Sequence, residues 1–274
     1  MIRAEHRRPS GAPQAHLRRA VRIAECGGWH DGRMSQNPAS ATVGLVRSLH
    51  RYPMKSLTGE DLTEAYAEAR GLRADRLWSV RDPDGKLGSG KSSRRFRKMD
   101  GLLLLTATYD GDVPVIAFPD GRTLRGDDPG MDAALSAYVG RPVGLAREQE
   151  VSHFDDGPVH LVTTSGLRAV ADAHGAPVDV RHFRPNVVLD TGEEAGFPED
   201  GWLGRTLEVG DALLEVVAPM PRCVMVTMAQ VGLDGDAGLL GTVTDRHGME
   251  FGVLAEVRRP GRLGIGDAVR TIPA

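Results

Sequence analysis

Along most of the chain, apolar and polar positions alternate in short runs rather than repeating every three or four residues. Residues 43–52 alternate well enough for a strand that Pro53 ends, and residues 55–59 follow as a turn. Residues 62–69 and 77–80 read as two more strands, joined by a corner at 71–76. Asp82-Pro83-Asp84-Gly85 has turn chemistry, and residues 88–98, polar and basic, read as a mobile loop. The apolar run 102–109 is a strand candidate, and Asp110-Gly111-Asp112 and Pro119-Asp120-Gly121 punctuate the short strands after it. Helical spacing enters at only three places. Residues 131–139 follow Asp128-Pro129-Gly130. A second segment is opened by Thr163-Thr164-Ser165, carries Leu167, Val170, Ala171 and His174 at i, i+3, i+4 and i+7, and stops at Gly175. The third, residues 238–246, has Leu239, Leu240 and Val243 on one face. Between them lie strands at 159–162 and 186–189, a pair flanking Gly210-Asp211, and a last pair joined at Pro260-Gly261. Close strand spacing of this kind predicts antiparallel sheets or barrels rather than βαβ units, so the fold class is mainly β (α+β) with a few short helices.

The 274 residues suffice for one large domain or two modest ones. Composition turns acidic and loop-like around 148–158, which divides the chain into 41–150 and 151–274. Residues 1–40 are rich in Arg, Pro, Gly, Ala and His and poor in acids, and read as a disordered extension or a start codon placed ahead of a true one at Met34. A formal net charge of −3 argues neither for nor against a polyanionic partner. The basic stretch from Lys91 to Lys98 holds a single aromatic, Phe96, which argues against a nucleic-acid patch. No apolar run reaches the 18 residues a membrane helix needs. Two cysteines, Cys26 and Cys223, make neither a disulfide framework nor a zinc site, and suit a reducing, cytoplasmic setting. Basic residues are almost all arginine, with lysine only at 55, 86, 91 and 98.

Candidate chemistry concentrates in five polar clusters at the ends of strands. These are Lys55-Ser56, Asp75-Arg76, Thr163-Thr164-Ser165, the stretch from Arg181 through Asn186, and Arg222-Cys223 behind Pro219-Met220-Pro221. Helix N-termini offer free N–H groups to a phosphate, and Arg and Lys add charge-assisted hydrogen bonds. A thiolate is a soft ligand for a transition metal. Taken singly, each has a plainer explanation: a helix cap, a solvated turn, an arginine tying strand ends together, or a buried structural cysteine. Together they describe a pocket for an anionic organic cofactor with a thiol at one end.

The segments Tyr52-Pro53-Met54-Lys55-Ser56-Leu57-Thr58-Gly59 and Gly71-Leu72-Arg73-Ala74-Asp75-Arg76-Leu77-Trp78 resemble the N-terminal β-barrel domain of MOSC proteins. Arg181-His182-Phe183-Arg184-Pro185-Asn186, residues 204–211 and Arg222-Cys223 resemble the MOSC domain itself, in the same order across about 230 residues. That family includes bacterial MOSC proteins and the mitochondrial amidoxime reducing component. The resemblance implies an N-terminal β-barrel domain followed by a MOSC β-barrel domain, with a molybdenum–molybdopterin cofactor (Moco) between them. It implies that Cys223 ligates molybdenum, that Lys55, Ser56, Arg76, Thr164, Ser165, Arg184, Asn186 and Arg222 surround the pterin and its phosphate, and that Cys223 and Arg222 are the catalytic pair. His182 stands where an arginine is common, at the periphery, and the Val-Met-Val-Thr-Met after Cys223 lacks the usual polar residues. The implied activity is reduction of N-hydroxylated compounds by electrons from a separate reductase, since two cysteines hold no iron–sulfur cluster. The alternatives are a sulfur carrier or cofactor-handling protein with a Cys223 persulfide, and a binding module without turnover.

Overall fold

The structure, a computed structural model, describes residues 40–272. Cys26 and the proposed N-terminal extension therefore lie outside the described residues. Seven strands close into a barrel: Ala41–Arg51, Val187–Asp190, Val159–Thr163, Glu250–Arg259, Ala212–Pro221, Thr206–Val209 and Ala268–Ile272, the last pairing back to Ala41–Arg51. Every pairing is antiparallel except that of Val159–Thr163 with Val187–Asp190, which runs parallel through Leu161↔Val187 and Thr163↔Leu189. The sheet thus takes strands from both sides of residue 150. A closed sheet has no free edge, and its inward positions fill the lumen. Here they are Val46, Leu49, Leu161, Val187, Leu189, Leu207, Leu214, Val253 and their neighbours. In Ala212–Pro221 the alternation is direct: Ala212, Leu214 and Val216 are buried while Leu213 and Glu215 are partly exposed. Val159–Thr163 is buried along its whole length because helices cover its outer face.

Three helices are present among the described residues: α1 (Met131–Val139), α2 (Thr164–His174) and α3 (Leu239–His247). They agree with the helical spacing in the sequence to within a residue or two. Each ends on a glycine in the left-handed region, Gly140, Gly175 and Gly248, where a Cβ is least tolerated. Helices α2 and α3 pack on the barrel through Val170, Leu239 and Val243 against Val162, Phe183, Val188, Val226 and Phe251. A third cluster, built on Met54, Leu57, Val80, Leu102, Leu105, Ile116 and Leu135, holds the two smaller sheets of residues 78–147.

Two sequence expectations fail here for identifiable reasons. Residues 88–98 are not a mobile loop: Leu87–Ser89 pairs in parallel with Phe96–Lys98. Arg97 donates to Asp82 at 2.7 Å and to Asp84 at 2.7 Å, and Phe96 is buried, with Lys55, Lys91 and Arg95 against its ring. The basic charges are thus spent on holding a strap in place. The apolar run 102–109 is not one strand either. Leu102–Leu104 is a 3-10 turn entered through Gly101 at φ 84°, and the strand begins at Thr106.

Candidate active site

The strand Ala212–Pro221 continues through both prolines before it delivers Arg222 and Cys223. Proline donates no ladder hydrogen bond, and the register against Glu250–Arg259 slips between Val216 and Ala218 and again between Pro219 and Pro221. Arg222 is then fixed by its own N–H, which donates to Met249 O at 2.8 Å. Cys223 stands at the start of a 3-10 turn, Val224–Thr227, rather than of an extended apolar run. On the facing loop, the 3-10 turn Val180–Phe183 ends at Arg184, with φ 53°. Phe183 and Val226 both enter the core beneath α2 and α3, so each loop is pinned by one buried side chain. Between the two loops lies a cavity of about 280 Å³.

The cavity is strongly cationic. Lys55, Arg76, Lys91, Arg184 and Arg222 line it, with Ser56 and Cys223. Lys55 is 4% exposed and Arg184 8%. Burial pushes Arg184 down to about 10, against the attraction of the Tyr52 hydroxyl, and pushes Arg222 down to about 10, with Cys223 the first opposing influence. Both remain cations near neutrality. Lys55 is lowered by burial in spite of its hydrogen bond to Asp155. Burial alone would raise the Asp155 carboxyl, but Lys55 and then Lys91 outweigh it and hold it low. Tyr52, pushed up to about 12 by burial, lies under two guanidinium groups, Arg184 at 4.2 Å and Arg76 at 4.6 Å from the ring centre. His160 is held well below the usual histidine range by burial and by Arg222, whose Nη1 is 3.4 Å from its Nε2. It fits there because Gly252 lacks a Cβ, which would sit 2.7 Å from that nitrogen.

Several of these donors have nothing to bind. Arg184 Nη1 and Nη2, Arg222 Nε and His182 Nδ1 are buried without a hydrogen-bond partner, although Arg222 Nη2 donates to Phe183 O at 2.8 Å. A buried guanidinium with idle N–H groups is costly. Backbone strain points to the same place. Of the five non-glycine residues with positive φ among those described, Ser56 (65°), Arg76 (50°) and Arg184 (53°) line the cavity. Such conformations cost roughly 1–2 kcal/mol each and cluster at ligand sites.

Lys55, Ser56, Arg76, Arg184, Arg222 and Cys223 are thus brought together. Asn186 stands one step behind: it is 1% exposed, accepts from Arg76 Nη1 at 3.5 Å and from His160 N at 3.1 Å, and supports the wall. Thr164 and Ser165 do not reach the cavity. They open α2 at the far ends of the parallel strands, where Ser165 Oγ and Thr191 Oγ1 are 2.6 Å apart and Thr164 Oγ1 donates to Asp190 at 3.4 Å. The α2 N-terminus therefore offers nothing to a ligand in this cavity. His182, expected at the periphery, is a lining residue. Phe183, Met220, Pro221, Met225 and Val226 also line it, and Lys91, Asp155 and Asp156, which were not anticipated, complete the lining. Lys91 Nζ lies 3.8 Å from Cys223 Sγ and 3.9 Å from Asp155. One signal for it was available, since an arginine-rich chain with four lysines places two of them here.

Residues 43–151 match the model of the MOSC N-terminal beta barrel domain, and residues 148–270 match that of the MOSC domain. The chain is a MOSC domain protein. Among its relatives, mitochondrial amidoxime reducing component 2 of Bos taurus is 24% identical over 307 residues, covering 88% of this chain and 87% of the relative. The human protein of that name is 25% identical over 293 residues, with 83% of each covered. Mitochondrial amidoxime-reducing component 1 of Mus musculus is 25% identical over 254 residues, covering 77% of this chain and 72% of the relative. Among solved structures, the YUAD protein from Bacillus subtilis superposes with a TM-score of 0.47 at 13% identity, over 85% of this chain and 97% of that one. Family and relatives together support an oxidoreductase of the molybdenum-cofactor type. No helix among the described residues is long and apolar enough to cross a membrane.

Proposed function

We propose that this MOSC protein binds a molybdenum–molybdopterin cofactor in the cationic cavity and reduces N-hydroxylated compounds in the cytoplasm, with electrons from a separate reductase. The observation that carries the reading is that Arg184 and Arg222, whose buried Nη1, Nη2 and Nε groups have no hydrogen-bond partner, line the same cavity as the Cys223 thiol. Idle guanidinium N–H groups match an anionic pterin phosphate, and the thiol matches a soft metal. Among the described residues no group of three or more His, Cys, Asp or Glu side chains is placed to hold a metal ion. A metal at Cys223 would thus need further ligands of its own, as one held by a pterin dithiolene has.

In this reading Cys223 ligates the molybdenum, Lys55, Ser56, Arg76 and Arg184 hold the phosphate and pterin, and Arg222 sets the charge beside the thiol. Asn186 keeps Arg76 in place. When bound, the cofactor supplies the two-electron chemistry by which an N–O bond is cleaved, two protons are taken up and water leaves. The protein holds and orients its charges without solvent reorganisation, since Arg184 and Arg222 are buried and cationic before any ligand arrives.

The test is molybdenum content and reduction of benzamidoxime by reduced methyl viologen, in the native chain and in Cys223→Ala. The native chain is expected to carry close to one molybdenum and to turn over, and the variant to have neither while folding normally. Full activity with stoichiometric metal in the variant sinks the proposal. A native chain without metal whose mass shows one extra sulfur on Cys223 would support the sulfur-carrier alternative instead.

A further inference from the structure

A second cavity, of about 240 Å³, lies behind the Lys91 strap and has no part in the cationic site. Its walls are mostly apolar, from Met99, Leu102, Leu103, Leu104, Met228 and Ala229 with the bare backbone of Gly90 and Gly101, and Asp100 is the one charged residue among them. Leu104, 40% exposed, makes one part of its rim apolar, and the exposed Asp100, paired with Lys98 at 3.3 Å, makes another part acidic. Gly90, Met225 and Met228 stand between it and the cleft. Gly90 lines the apolar cavity while its neighbour Lys91 lines the cleft; Met228 lines the first and Met225 the second. A Cβ on Gly90 would lie 2.5 Å from Met228 Sδ and 3.4 Å from Met225 Cγ, so the partition closes only because residue 90 has no side chain. Methionine is unbranched and repacks readily, which makes this partition the most adaptable part of the wall near Cys223.

From this arrangement we infer that the apolar cavity is a subsite for the alkyl or aryl body of the substrate, whose N-hydroxylated head is turned toward Cys223. The inference rests on the reductase reading and narrows it: the substrates are lipophilic N-hydroxylated compounds rather than N-hydroxylated nucleobases. The space suits a single ring or a short alkyl chain, since ligand pockets run from about 300 Å³ upward. Of the apolar residues after Cys223, Met225 and Val226 line the cleft and Met228 lines the apolar cavity.

The experiment uses the cofactor-free full chain with N-phenyl-1-naphthylamine, a neutral dye that fluoresces in apolar sites, displaced by linear amidoximes from acetamidoxime to octanamidoxime. Affinity is expected to rise about threefold per methylene until the cavity is filled, and then to level off. Ala229→Phe introduces a ring from an exposed position on the cavity lining, and Leu104→Asn makes the rim polar. Both are expected to weaken octanamidoxime at least tenfold while leaving the affinity for inorganic pyrophosphate, a probe of the cationic cleft, unchanged. A flat series in the native chain, or a rise that neither variant lowers, overturns the subsite. So does dye binding that follows self-association in light scattering rather than the ligand series. With no metal present, these results stand apart from the reductase reading, which a metal-free, inactive native protein would count against on its own.

Discussion

The parallel strands Val159–Thr163 and Val187–Asp190 carry polar clusters at both ends, about 13 Å apart along the chain. At one end stand His160, Asn186 and, on adjoining loops, Arg76, Arg184 and Arg222. At the other stand Thr163, Thr164, Ser165, Asp190 and Thr191. In sequence the two look equally suited to a phosphate, and the second adds a helix N-terminus. In space they differ in what is already satisfied. Thr163 Oγ1 accepts from Gly166 N at 2.9 Å and donates to Glu199 at 2.6 Å, and Ser165 and Thr191 bond each other. There Glu199 Oε1 is left without a partner, whereas at the opposite end the Nη1 and Nη2 groups of Arg184 and the Nε of Arg222 are left idle. Which cluster is a site is decided by unused hydrogen-bonding capacity, not by residue type.

Arg184→Met tests the open end and should have the largest effect. Losing two charge-assisted hydrogen bonds to the ligand is expected to weaken cofactor retention about a hundredfold, measured as molybdenum content after dialysis. The metal-free variant should unfold in urea at the same or a slightly higher midpoint, because a buried cation without a partner has gone. A variant that loses stability but keeps its metal would make Arg184 a structural residue.

At the closed end the expected effect is on stability alone. Glu199 is fully buried against Thr163, and burial pushes its carboxyl up to about 7. Its native form binds a proton that the unfolded chain releases near 4.5. The stability it contributes is complete below about pH 4.5 and is lost as pH rises through about 7. The loss is on the order of 3 kcal/mol. Urea unfolding at pH 5 and pH 8 should show that decline in the native chain and much less of it in Glu199→Gln. An equal decline in both would place the titration elsewhere. The smallest effect is expected from Thr164→Ala with Ser165→Ala: about 1 kcal/mol of stability for the lost hydrogen bonds to Asp190 and Thr191, and no change in metal content. A fall in metal content would restore the α2 N-terminus to the site.

Much of this protein was legible beforehand. The helical spacing located all three described helices, and the turn residues marked most strand ends, because these are local properties with local causes. Family motifs around Lys55, Arg76, Arg184 and Cys223 pointed to the cavity. The misses have two causes. The Leu102–Leu104 turn and the strap at residues 87–98 hang on nearby partners that the apolar and basic runs mask, Gly101 for the first and Asp82, Asp84 and Leu87–Ser89 for the second, whereas the cavity roles of Lys91, Asp155 and Asp156 depend on partners far along the chain. Lys55, 41 residues before Phe96, lies over its ring, and Asp155 bonds Lys55, 100 residues earlier, in the cavity.

Residue type and periodicity therefore determined that this is a mainly β chain, with a cysteine and a set of cations placed at strand ends. The tertiary structure alone decided which strand ends meet. The barrel closes when Ala268–Ile272 pairs with Ala41–Arg51 and Ala41–Arg51 with Val187–Asp190, bringing residues 55, 76, 184 and 222 to one cavity and leaving 164 and 165 beyond the far ends of the strands. Strand direction sets that outcome, and direction comes from long-range pairing that no local pattern encodes.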